Sequence, residues 1–269
     1  MAQIRLGPAG SPANSTFEGL SKVKELGLNA MEVQYSHGVG MGLPLAKRVG
    51  EERKRVGIEL SVHAPYYINL ASDEDEKVDA SKKRILESCK RAHLMGAEQV
   101  VFHPAYYGKH EPDDTFSVVA DAVKGMQKAI EKEGWNVRLA PETTGKHSAF
   151  GSLDETVRLV KETACSMCID FAHLYARNNG QIDYARIFDT LKTLGTEHFH
   201  MHFSNINFGE KGERNHLVLD HQPDFRPLAK EIMDRDVDCT IISESPVTWK
   251  DSLKMKEIFE KMGHDFGSL

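Results

Sequence analysis

The chain has 269 residues, 40% of them hydrophobic and 28% charged, enough to bury a large core. Its formal net charge of −6 excludes a generally basic nucleic-acid binder, although a locally positive groove or bound cations escape a whole-chain count. No apolar run is long enough to span a bilayer, and the opening Met1-Ala2-Gln3-Ile4 leads directly into a strand pattern rather than a signal peptide, so a cytoplasmic protein is expected.

Taken in order, strand and helix patterns alternate. A short strand at 3–6 leads through Gly-Pro-Ala-Gly to apolar residues at helical spacing over 16–26, stopped by Gly27. The second unit pairs a strand at 30–35 with a helix at 44–56 and Gly57. The third pairs 58–64 with a long helix to about residue 95 and Gly96, and the fourth pairs 99–103 with 115–133. The second half repeats the scheme with 137–142 and 153–162, 166–170 and 184–194, 198–204 and 225–234, and 239–244 and 249–262. Eight such pairs call for a closed parallel (β/α)8 TIM barrel, a single domain spanning residues 1–269. A doubly wound open sheet is the runner-up, but no Gly-rich phosphate loop follows the first strand. Four cysteines make no disulfide framework, and Cys165 and Cys168, a lone pair inside a strand pattern, read as core thiols.

In such a barrel the C-terminal ends of the strands line the functional face. Those ends carry His63, His103, Glu142, Asp170 with His173, His202 and Glu244, so six of the eight strands end in His, Asp or Glu. These residues are costly at a barrel mouth unless they are paired or coordinate a metal. Imidazole and carboxylate without thiolate suit zinc, manganese or iron, and the set exceeds what one tetrahedral ion can use, which implies two or three metals. The densest stretch is Cys168-Ile169-Asp170-Phe171-Ala172-His173. It sets Asp170 and His173 three residues apart at the strand exit, where they can diverge to serve two ions; the plainer reading is a helix-capping Asp and a surface His.

Other residues carry weaker signals. His198, His200 and His202 share one face of a strand, so only His202 should reach the mouth. His216 falls in a long polar stretch over 205–224, where a surface position is the default. Tyr66 and Tyr67 follow His63 and, at a rim, can offer a ring to a base or sugar. Lys109, His110, Lys146, Arg177, Lys211 and Arg214 fall in expected rim loops and together can form a phosphate-binding edge.

On these residues the sequence resembles the endonuclease IV family of zinc-dependent abasic-site DNA repair enzymes, within the xylose-isomerase-like barrel group. The stretch His63-Ala64-Pro65-Tyr66-Tyr67-Ile68-Asn69-Leu70 is similar to the family's His-x-x-Tyr-x-Ile-Asn-Leu. His103-Pro104, Glu142-Thr143-Thr144-Gly145, Cys168-Ile169-Asp170 with His173, Met201-His202-Phe203 and Glu244-Ser245-Pro246 follow in the family's order, so the likeness runs from about 58 to 246. The resemblance implies that His63 and His103 hold one zinc, that Asp170, His202 and Glu244 hold a second, and that Glu142 bridges them as the catalytic carboxylate. His173 and His216 would hold a third. The implied reaction is metal-assisted hydrolysis of the phosphodiester 5′ to an abasic site in double-stranded DNA, by a monomer, with Tyr66 against the damaged strand.

The chain departs from the family pattern in two places. Gly212-Glu213-Arg214-Asn215-His216 stands where the family has Asp-Arg-His, so the carboxylate is a Glu displaced by one residue. Either its longer side chain reaches the same ion or the third site is weak or absent. The loop Ser36-His37-Gly38-Val39-Gly40-Met41 lacks the arginine and bulky polar residues that family members insert into DNA. The second reading is therefore a single-metal sugar isomerase or epimerase of the same barrel group, using Glu142, Asp170, His202 and Glu244 for proton transfer on a sugar. The extra His63, His103, His173 and His216 favour the nuclease.

Overall fold

Strands with apolar side chains on both faces need cover on both faces, and a closed parallel barrel jacketed by helices provides it. The computed structural model, which describes residues 2–267, has this architecture. The chain runs β1 (Ile4–Pro8), α1 (Thr16–Glu25), β2 (Ala30–Gln34), α2 (Leu43–Val56), β3 (Glu59–His63), α3 (Asp75–Met95) and β4 (Gln99–Phe102). Then come β5 (Ala105–Tyr106), α4 (Pro112–Lys132), β6 (Arg138–Pro141), β7 (Ala149–Phe150), α5 (Leu153–Thr163), β8 (Cys168–Asp170), α6 (Phe171–Arg177) and α7 (Tyr184–Lys192). The last part is β9 (His198–Phe203), β10 (Asn205–Gly209), β11 (Gly212–Leu217), α8 (Phe225–Asp234), β12 (Asp238–Ser243) and α9 (Trp249–Lys261).

Two four-stranded parallel sheets, ordered β2-β3-β4-β6 and β1-β12-β9-β8, form the wall. Parallel bridges from Ala9 to Glu32 and from Glu142 to Cys168 join them into a ring. The closed order is therefore β1-β2-β3-β4-β6-β8-β9-β12, the eight-stranded barrel that the alternation predicts.

Strand β9 shows how alternation sorts side chains. Phe199, Met201 and Phe203 point outward and are buried under helices, Phe203 packing on Phe225 of α8 at a 4.8 Å centroid distance. Each such ring contributes about 1.5–3 kcal/mol of burial. The alternate residues His198, His200 and His202 turn into the barrel. Helices α2 and α3 end where expected, because Gly57 and Gly96 adopt left-handed φ of 76° and 73° that close the last turn. All four cysteines are free and buried, as core thiols should be.

Several elements differ from the sequence reading, among them the short antiparallel pair β5–β7, for which it has no strands. Helix α4 starts at Pro112, before the apolar periodicity begins, because proline is well suited to a first helical turn. Helix α6 has seven residues, too few for a periodic signal. The stretch expected as a loop over 205–224 contains the antiparallel hairpin β10–β11, whose polar strands show no alternation to detect. Among the described residues, no helix is long and apolar enough to cross a membrane.

Candidate metal centre

The strand-end residues converge at the C-terminal mouth, and most of the imidazoles there are oriented by a neighbour. His63 Nδ1 donates to the Ala64 carbonyl at 2.7 Å, which leaves Nε2 facing Glu142 Oε2 at 3.1 Å. His173 Nδ1 donates to the Thr143 carbonyl at 2.9 Å and turns Nε2 inward. His202 is reversed: Nε2 lies against Glu32, and Nδ1 faces Glu142 Oε1 at 3.0 Å. His216 Nδ1 meets Ser204 Oγ at 2.6 Å, and its Nε2 lies 3.7 Å from Glu244. Anchoring one ring nitrogen selects the tautomer and aims the other, as metal-ligating histidines require.

Among the described residues three overlapping donor sets result at the mouth, each with ligand atoms within 4.8 Å of one another: His63, His103 and Glu142; Glu142, Asp170, His202 and Glu244; and Asp170, His173, His216 and Glu244; a fourth group of the same kind is Cys168, His200 and His202. Glu142 belongs to the first two, with Oε2 2.9 Å from His103 Nε2 and Oε1 toward His202. Asp170 and Glu244 belong to the last two. The plain reading of Asp170 is half right, since its Oδ1 caps α6 by accepting from His173 N at 2.6 Å. Its Oδ2, however, is buried without a hydrogen-bond partner, 3.8 Å from His173 Nδ1, and His173 is buried rather than on the surface. Asp170 belongs to the second set as well as the third, whereas His173 belongs to the third alone.

The displaced carboxylate has a backbone explanation. In the β10–β11 ladder Ile206 pairs with His216 and Phe208 with Glu213, and a bulge between them leaves Arg214 unpaired. One extra residue restores the parity that a three-residue spacing breaks, so Glu213 and His216 share a face. Glu213 Oε2 then lies 3.0 Å from His173 Nε2 and accepts from Gly145 N at 3.0 Å. A Cβ at Gly145 would collide with the Glu213 carboxylate, so glycine there admits this approach. Gly212, at φ +94°, leaves no room for a Cβ against the Gly145 carbonyl, which fixes the hairpin on the loop after β6.

The electrostatics are those of a cation site. Burial opposes protonation of His63 and His173, yet Glu142 holds His63 up at about 9 and Asp170 with Glu213 holds His173 up at about 10. Burial alone would raise the Glu142 carboxyl, but His103 and His202 hold it well below its ordinary range. Burial does push Asp170 up, in spite of nearby His173. Buried carboxylates, an unpartnered carboxylate oxygen and inward-turned ring nitrogens are a donor set that fits divalent ions of the zinc type.

The sequence reading missed the layer beneath. Glu32, fully buried in β2, accepts from Ser61 Oγ at 2.8 Å and His200 Nε2 at 2.9 Å, besides His202. An acidic residue inside the apolar strand Ala30-Met31-Glu32-Val33 was the available signal. Tyr66 stands at the rim, 50% exposed, with its ring 5.5 Å from that of His63. Arg177, expected as a rim cation for phosphate, is instead a brace: its guanidinium donates to the carbonyls of Thr144, Lys146 and Ala149 and to Tyr107 Oη. His110 is occupied by Asp73 at 2.8 Å.

Residues 20–261 match the family described as xylose isomerase-like TIM barrel. An uncharacterized protein of Methanocaldococcus jannaschii is 36% identical, covering 95% of this chain and 97% of that protein. A probable endonuclease 4 of Mycoplasma genitalium is 29% identical over 70% of this chain and 67% of its own length. Among solved structures, endonuclease IV from Thermus thermophilus superposes with a TM-score of 0.74 at 20% identity, covering 96% of this chain and 98% of that one. The 3-keto-D-glucoside 4-epimerase of E. coli shares the fold with a TM-score of 0.69 at 16% identity, over 96% of this chain and 100% of that one.

Proposed function

We propose, for a chain that belongs to the xylose isomerase-like TIM barrel family, that it is a zinc-dependent endonuclease hydrolysing the phosphodiester 5′ to abasic sites in duplex DNA. The observation that carries this reading is the donor count. A single-ion enzyme needs the set Glu142, Asp170, His202 and Glu244, whereas this mouth adds His63, His103, His173, His216 and Glu213 around it. Ligands for two or three ions suit a phosphodiester, where both attacking and departing oxygens need charge neutralised. The likeness to a protein named probable endonuclease 4 supports the same reaction class.

His63 and His103 would hold one zinc with Glu142; Asp170, His202 and Glu244 would hold a second with the same Glu142; His173, His216 and Glu213 would complete a third. Bound zinc supplies Lewis-acid polarisation of a phosphoryl oxygen and neutralises charge on the leaving oxygen. The chain contributes the rest. Glu142, with one oxygen toward each of the first two sets, fixes their separation, and its complete burial keeps that separation rigid. Tyr66 presents a ring beside His63 and His103, where it can lie against an exposed base or sugar of the damaged strand.

A duplex oligonucleotide with one abasic-site analogue tests the proposal, incubated with zinc-loaded protein and with chelated protein. Chelator-sensitive cleavage on the 5′ side of the lesion, with undamaged duplex left whole, is expected; intact lesion strand after incubation with zinc-loaded protein would overturn it. The second reading, a sugar isomerase or epimerase, draws on the absence of arginine from the loop between β2 and α2 and on the engagement of Arg177 by carbonyls, which together leave fewer cations for phosphate. Interconversion of a ketose by the same loaded protein, without nicking, would establish that class instead.

A further inference from the structure

The geometry points to Glu32 as a positioning residue that locks His202 in the tautomer presenting Nδ1 to the metal centre. Glu32 lies in the barrel interior directly behind His202, outside every donor set of the mouth. Its Oε1 is 3.1 Å from His202 Nε2 and 3.0 Å from Gln34 Nε2; its Oε2 accepts from Ser61 Oγ and His200 Nε2. An ionised carboxylate is an acceptor only, with about four lone-pair positions. All four are filled here, and every partner must donate. His202 Nε2 therefore donates to Glu32, so that when the ring is neutral, as a ligand must be, its lone pair lies on Nδ1, aimed between Glu142 Oε1 at 3.0 Å and Glu244 Oε2 at 3.6 Å.

His202 differs in this from its neighbours. His63 and His173 are held by backbone carbonyls and His216 by a hydroxyl, whereas His202 leans on a carboxylate. A carboxylate partner both orients an imidazole and raises its basicity as a ligand, and losing one typically costs 10–100-fold in metal affinity. The Glu32 backbone also helps close the barrel, bridging to Ala9 and accepting from Gly10 N at 2.8 Å. Ring closure and ligand orientation thus meet in one residue.

This inference rests on His202 being a ligand, not on the nuclease reading, and its test needs no DNA. Cobalt(II) titration of wild-type and Glu32→Gln proteins, followed by visible absorption, reads each set. In folded Glu32→Gln the ion associated with Glu142, Asp170, His202 and Glu244 should bind 10–100-fold more weakly with an altered spectrum, while the His63–His103 ion is retained. Unchanged affinity and spectrum would overturn the role of Glu32 alone; no cobalt uptake by wild-type would overturn it together with the ligand reading. Should Glu32→Gln not fold, long-range 1H–15N correlation of histidines in the zinc-loaded wild type decides: a proton on His202 Nε2 supports the proposal, and one on Nδ1 overturns it.

Discussion

The two mouths of this barrel are made from the ends of the same eight strands and use polar residues in opposite ways. At the N-terminal mouth lies a cavity of about 910 Å3, whose lining includes Gln3, Arg5, Glu59, Arg138, His198 and Asp238. Its charges are spread around an open space. At the C-terminal mouth histidines and carboxylates instead converge until their ligand atoms lie within 4.8 Å of one another. Strand β9 crosses from one mouth to the other and carries the same residue type at both. Burial, then Arg5, pushes His198 down to about 4. Burial acts on His202 in the same direction, but Cys168 and the carboxylates of Glu32, Glu244 and Glu142 overcome it and raise His202 well above the ordinary imidazole range. The difference between the two mouths is thus one of converging against dispersed polar groups, and in barrels of this kind functional sites lie at the C-terminal face.

The largest expected effect comes from removing the residue that ties the first two donor sets. Glu142→Gln should lower nicking of abasic-site duplex by about 10³-fold or more while leaving circular dichroism unchanged, because the amide fills the same volume but withdraws a charge. Retention of near-normal turnover would sink the two-metal scheme. Stripping the ions comes next. At free zinc a hundredfold above Kd, each ion adds about 2.7 kcal/mol to the folded state. Chelation should thus lower Tm by roughly 10 °C or more, read by calorimetry. A Tm indifferent to chelation would mean that the C-terminal mouth is no more a cation site than the N-terminal one.

A subtler break separates the third set from the other two. His216→Ala should reduce zinc content by about one ion per chain, measured by elemental analysis, with the remaining ions retained; unchanged stoichiometry would return His216 to the role of a rim histidine. The smallest effect belongs to the opposite mouth. His198 has a folded pKa below its unfolded value, so the unfolded chain takes up a proton first and stability falls as pH drops from about 6.5 toward 4. His198→Gln should flatten that acid limb by less than about 1 kcal/mol, since the ring is partly solvated, and should leave nicking untouched. A loss of activity in that variant would show that the two mouths are coupled.

Much of this was legible in the chain itself. The alternation of apolar strands with amphipathic helices, punctuated by Gly57 and Gly96, expresses local periodicity and turn chemistry, which act over a few residues. The strand-end residues could be collected in advance because the closed barrel places every strand end at one mouth. What stayed hidden has one physical cause. Glu32 and His202 lie 170 positions apart, and nothing local announces that ring closure will set one behind the other. The parity of Glu213 and His216 depends on a bulge that exists only in the paired hairpin. Arg177 looked like a free rim cation until the fold surrounded it with carbonyls. Short-range periodicity determined the eight-unit barrel and the identity of the mouth residues; closure of the ring decided which atoms face one another, because orientation of a buried polar group is set by neighbours that are distant in sequence.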